Sequence, residues 1–120
     1  MIPIKIKHIN GINIAEIISD EIIIKVTQDA LNLMAECAYQ GSSKIILHEK
    51  NILSHFFDLK TGIAGEILQK FSTYDVQLAI IGDYSKYSSK SLKDFIFESN
   101  KYGRINFVNS ADEAYERLIK

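Results

Sequence analysis

Gln77-Leu78-Ala79-Ile80-Ile81, closed by Gly82-Asp83, is a near-continuous apolar run with a polar end. A strand with one wet face alternates apolar and polar residues. A run without alternation indicates a strand covered on both faces, as in parallel sheets with helices packed against them. Upstream, Lys44-Ile45-Ile46-Leu47-His48 reads as another buried strand, and downstream Ile105-Asn106-Phe107-Val108 is the last. Segments of helical period lie between them. Gly62 to Phe71 carries Ile63, Ile67, Leu68 and Phe71 on one face; a helix begun by Ser89 or Ser91 does the same with Leu92, Phe95, Ile96 and Ser99 before Gly103 stops it. Strand and helix in alternation predict a parallel core.

Toward the N-terminus, Ile4-Lys5-Ile6-Lys7-His8-Ile9 and Ile12-Asn13-Ile14-Ala15-Glu16-Ile17 alternate strictly around Asn10-Gly11. That dipeptide tolerates the positive φ angles of a type I′ turn, so the segment predicts an antiparallel hairpin. Ile22 to Val26 is either a short strand or an extended lead-in to a helix that Thr27 caps, Leu31, Met34, Ala35 and Ala38 pack, and Gly41 ends. At the other end, Ser110 and Glu113 have capping-box spacing ahead of Ala114, Tyr115, Leu118 and Ile119. The whole predicts one α/β domain over residues 1–120, an N-terminal β-hairpin followed by strand-helix units forming a mixed sheet with a parallel core. With 120 residues, 47% of them hydrophobic, the chain can bury one core unaided.

Charged residues make up 24% and nearly cancel, leaving a formal net charge of -1. Arg104 and Arg117 are the sole arginines, so the guanidinium forks that read phosphate and guanine are scarce, and nucleic acid is not an expected partner. Cys37 is the sole cysteine, which excludes an internal disulfide and a zinc site of several thiolates, and fits a reducing cytoplasmic setting. The opening residues lack the pattern of a secretory signal, and no apolar run approaches a bilayer span, so no membrane association is expected.

No catalytic motif stands out. Gly-x-Ser-x-Gly is absent, and Leu59 interrupts what would otherwise be an Asp-Lys-Thr-Gly phosphotransfer signature at Asp58-Lys60-Thr61-Gly62. Gly62 and Gly65 lack the spacing and trailing Gly-Lys of a phosphate loop and read instead as close helix-sheet packing. Nothing in the spacing of His48, Glu49, His55 and Asp58 requires a metal, and Cys37 reads as a packed thiol; no cofactor is implied.

Topology is the better guide, because open α/β sheets hold ligands beyond the carboxyl ends of their parallel strands, at a switch point. Those ends gather Glu49, the loop Asp58, Lys60, Thr61 and Gly62, and Asp83 with Tyr84; Lys86, Tyr87 and Lys90 line the same rim. The alternative is that Asp83 and Ser85 form a turn while Tyr84 and Tyr87 cover the core edge. Thr61, at a helix start, is either a cap or a phosphorylation site whose phosphate would meet free N–H groups.

Three stretches also carry a resemblance: Lys44 to Glu49, Phe56 to Phe71, and Ser85 to Phe95, together with Gly103 to Val108. They resemble the bacterial family catalogued as domain of unknown function 4180, a resemblance that implies no activity. The order of elements is similar to the STAS domain of anti-sigma factor antagonists and sulphate transporters, which places a phosphorylatable hydroxyl after an Asp-Ser-Ser/Ala-Gly type loop. In that comparison Asp58, Thr61 and Gly62 take comparable roles, with one additional residue between aspartate and glycine. The resemblance implies a non-enzymatic regulatory module that meets a protein partner. The other reading is a small-ligand binder or enzyme working in the strand-end crevice. An exposed strand edge would in addition suit a homodimer.

Overall fold

A computed structural model describes residues 2–120. The hairpin forms as expected: β1 (Ile4–Ile9) pairs antiparallel with β2 (Ile12–Ile17), and Asn10 and Gly11 take φ values of 52° and 78°. Both central residues at positive φ define the type I′ turn that matches strand twist. The chain continues through α1 (Thr27–Tyr39), β3 (Lys44–His48), α2 (Ile63–Thr73), β4 (Gln77–Ile81), α3 (Lys90–Tyr102), β5 (Ile105–Val108) and α4 (Ala111–Leu118). The five strands lie in sequential order, β2 to β5 all parallel.

Sequential order has a consequence for the site. Right-handed crossovers that always step the same way put every crossover helix on one face of the sheet. Accordingly Leu33 and Cys37 of α1, Ile67 and Phe71 of α2, and Leu92 of α3 share one core with Ala15, Ile17, Ile45, Leu47, Leu78, Ile80, Ile105 and Phe107. The opposite face, Ile14, Ile46, Ala79 and Val108, is covered by Ala114 and Leu118 of α4. Strand order never reverses, so the switch-point crevice expected from sequence does not arise.

Local signals explain most helix ends. Ser89 Oγ accepts the Leu92 N–H at 3.2 Å, which settles the choice between Ser89 and Ser91, and Ser110 Oγ accepts that of Glu113 at 3.2 Å. The start of α1 differs from expectation. Thr27 is its first helical residue; Asp29 Oδ2 reaches back to the N–H groups of Lys25 and Val26 at 2.9 and 3.1 Å, and Thr27 Oγ1 instead donates to Glu66 on α2 at 3.2 Å. Ile22 to Val26 is the lead-in rather than a strand of the sheet, with a single strand-like bridge between Ile24 and Ile52.

The β5 edge is closed from within. Asn100 on α3 accepts the Phe107 N–H at 2.7 Å and donates to the Phe107 carbonyl at 3.2 Å, so one carboxamide stands in for a neighbouring strand.

Candidate functional site

Beyond the ends of β3 and β4 the space is filled by the chain's own side chains. Glu49, the first residue after β3, folds over Gly82, the first after β4. Its Oε1 accepts the Asp83 N–H at 3.3 Å, its Oε2 accepts the Tyr87 hydroxyl, and Lys86 Nζ lies 2.8 Å from Oε2. A Cβ on residue 82 would stand 2.6 Å from Glu49 Oε1, so glycine is what makes this seat available. The Glu49 side chain is 15% exposed.

The connection from Gly82 to Ser89 is held down by this carboxylate and by aromatic packing. Tyr87 stacks on Phe57 with centroids 5.2 Å apart, and Tyr84 meets Phe107 edge-on at 5.4 Å while donating to the Ile80 carbonyl at 2.6 Å. Burial, with the Glu49 charge nearby, pushes both tyrosine hydroxyls above their ordinary pKa. Asp83 Oδ1 accepts the Ser85 hydroxyl at 2.6 Å and its N–H at 3.1 Å, which holds its carboxyl below the usual range. Asp83 and Ser85 therefore form a turn, and the two tyrosines cover the core edge.

Asp58, Lys60, Thr61 and Gly62 form a second group, exposed and built from three short 3₁₀ turns, Glu49–Asn51, Ser54–Phe57 and Leu59–Thr61. Asp58 Oδ1 accepts the Lys60 N–H at 3.2 Å. Thr61 Oγ1 lies 2.9 and 3.0 Å from the carbonyl oxygens of Asp58 and His55 and accepts the Ile63 N–H at 3.3 Å, so it braces the loop one residue ahead of the helix cap, which is Gly62 and not Thr61. Gly62, at φ 78°, is the residue that launches α2. Neither Gly62 nor Gly65 would meet another atom within 4 Å through an added Cβ, so close helix-sheet packing is not their role. Phe57, next to Asp58 and stacked on Tyr87, links the two groups.

His48 and Glu49 diverge. His48 Nε2 faces Glu16 Oε2 at 3.8 Å on the α4 side, where Glu16 Oε1 also accepts the Tyr115 hydroxyl at 2.8 Å, while Glu49 serves the connection after β4. Among the described residues no three His, Cys, Asp or Glu side chains are placed to hold one ion. Cys37 is fully buried, and burial first, then the Glu36 charge, pushes its pKa up to about 12. We expect an aromatic disulfide reagent at pH 8 to leave the native thiol unmodified for hours and to titrate it at once in denaturant; prompt native labelling would contradict this burial.

One residue of the region escaped sequence reasoning. Asn51, fully buried, accepts the His48 N–H at 3.0 Å and donates to the Ser19 and Glu21 carbonyls at 2.8 and 2.9 Å. Its own carbonyl takes the N–H groups of Ile23 and Ile24. It ties the segment after β2 to the end of β3.

A family described as Domain of unknown function (DUF4180) matches residues 9–118. No curated protein matches the chain. Among solved structures it is similar to the crystal structure of a proposed anti-sigma factor antagonist from Thermotoga maritima, with 14% identity, a TM-score of 0.50, and coverage of 98% of this chain and 95% of that one. At that identity the likeness establishes the fold, in agreement with the STAS-like architecture expected from the order of elements.

Proposed function

Because the chain belongs to the DUF4180 family, whose description assigns no activity, we propose from its own surface that it is a non-enzymatic regulatory module of the bacterial cytoplasm that meets a protein partner. The observation that carries this reading is the filled strand end. Where a small-ligand binder would keep a cavity, Glu49, Tyr84 and Tyr87 occupy the space and bond to one another or to the backbone. Beside them stands a polar loop, Asp58, Lys60 and Thr61, braced by its own hydrogen bonds and so presented with little left to order on contact. Glu49, Asp83, Tyr84 and Lys86 border it, and Gly62 starts the helix behind it. A phosphate on Thr61 would displace its hydroxyl contacts and set two anionic groups, phosphate and Asp58, side by side. That gives the loop a means of being switched.

The test begins with a stoichiometric partner recovered on the immobilised protein and re-purified. Asp58→Ala and Thr61→Glu are expected to weaken its binding at least tenfold by calorimetry, with melting temperatures close to the parent. Binding as tight as the parent's by both variants would remove this surface from consideration.

A further inference from the structure

Glu49 does not simply end a strand; it occupies a receptor. The Asp83 N–H, the Lys86 ammonium and the Tyr87 hydroxyl converge on one carboxylate, and these three donors belong to the connection after β4, whereas the carboxylate comes from the loop after β3. The same donor set would hold a carboxylate that arrived from outside. Immediately beside it runs a groove of about 290 Å³ lined by Lys50, Ile52, Ser54, Phe57, Lys86 and Tyr87 as well as Glu49. Ile52 and Phe57, 5% and 7% exposed, lie beneath it, and its accessible lining is cationic at Lys50 and Lys86, each about half exposed and each paired with a carboxylate of this chain. Asp20, the partner of Lys50, is 92% exposed, and such surface pairs exchange readily. Once those carboxylates are displaced, the groove offers two ammonium groups to a segment that carries acidic side chains.

We propose that Glu49 is a built-in stand-in for a carboxylate of a partner protein, and that an acidic partner segment lying between Lys50 and Lys86 takes over its donors. The inference rests on the protein-interaction reading above and names the chemistry of the partner. In the resting chain Glu49 competes with that segment at very high local concentration, so the free protein binds it weakly. Removing the competitor exposes the site.

A fluorescein-labelled decapeptide of alternating glutamate and serine serves as the probe, with a lysine-serine peptide as control, both read by anisotropy at moderate salt. Glu49→Ala is expected to bind the acidic peptide at least tenfold more tightly than the parent. Glu49→Gln, which keeps the side-chain shape, should gain a smaller factor; Lys86→Ala in the Glu49→Ala background should cancel the gain. Formate or acetate should raise the melting temperature of Glu49→Ala by several degrees beyond matched chloride and leave the parent unmoved. If Glu49→Ala and Glu49→Gln, both folded by circular dichroism, bind the acidic peptide no better than the parent, or formate acts no differently from chloride, the proposal fails. Loss of partner binding on Asp58→Ala alongside such a result would leave the interaction reading standing while this one falls.

Discussion

Asn51→Ala is expected to lower the free energy of unfolding by about 3 kcal/mol, because each buried group stranded without a partner costs about 1–3 kcal/mol and the outer ones regain some water. The stranded groups are the His48 N–H and the Ser19 and Glu21 carbonyls. Those two carbonyls fix the segment that delivers Ile24, 2% exposed, to the core. Hydrogen exchange should therefore show the amides of Ile23 and Ile24 losing protection beyond the global change. Asn51→Asp makes a sharper comparison. Its carboxylate can accept from His48 but faces two carbonyls it cannot serve, and burial raises its folded pKa above the unfolded value. The folded state then binds more protons than the unfolded one, so this variant should gain stability as pH falls from 7 toward 5, relative to the parent. A pH-independent difference between the two would mean that position 51 is wetter than its burial indicates.

Gly82→Ala is expected to cost a similar amount, about 3 kcal/mol, or on the order of 10 °C in melting temperature. The new Cβ would lie 2.6 Å from Glu49 Oε1 and 2.8 Å from Glu49 Cβ, closer than atoms tolerate, so the carboxylate must leave its seat. The Tyr87 hydroxyl and Lys86 then lose their acceptor, and the Tyr84 and Tyr87 rings loosen over Phe57. Near-ultraviolet circular dichroism should weaken before the far-ultraviolet signal does. Because Glu49 is the clashing group, a cycle with Glu49→Gly should show coupling of about 1–2 kcal/mol. Additive effects would mean that the alanine is accommodated without moving Glu49.

What the sequence disclosed follows from which interactions are local. Asn10-Gly11, Gly41, Ser89, Gly103 and Ser110 each act within a few residues of themselves, and all five punctuate the chain where expected. Thr27 misled because the helix begins one residue earlier than a Thr27 cap requires: Val26 holds the cap position, and the Asp29 carboxylate fixes the turn by accepting the N–H groups of Lys25 and Val26. Glu49 to Thr61 has no period to read: three 3₁₀ turns place Phe56 and Phe57 inward by tertiary packing alone. Asn51, between a lysine and an isoleucine, looks like any loop amide, since its partners are 30 and 32 residues away. The candidate residues divide into a filled seat around Glu49 and a projecting loop from Asp58 to Gly62, and that division depends on strand order. An unbroken apolar strand fits several orders equally well.

The carboxamide of Asn100 bears on how the molecule behaves in a crowd. A sheet lengthens by adding strands at its margins, and at β5 the Phe107 N–H and carbonyl are already taken, so a foreign strand loses two of the groups it would pair with there. Growth is left to β1, whose lysines sit on one face at Lys5 and Lys7. A second copy docking antiparallel about the centre of that strand sets Lys5 opposite Lys7, or either opposite itself, and the like charges repel. Strand addition is thus opposed at Phe107 by a side-chain mimic and along β1 by like charge.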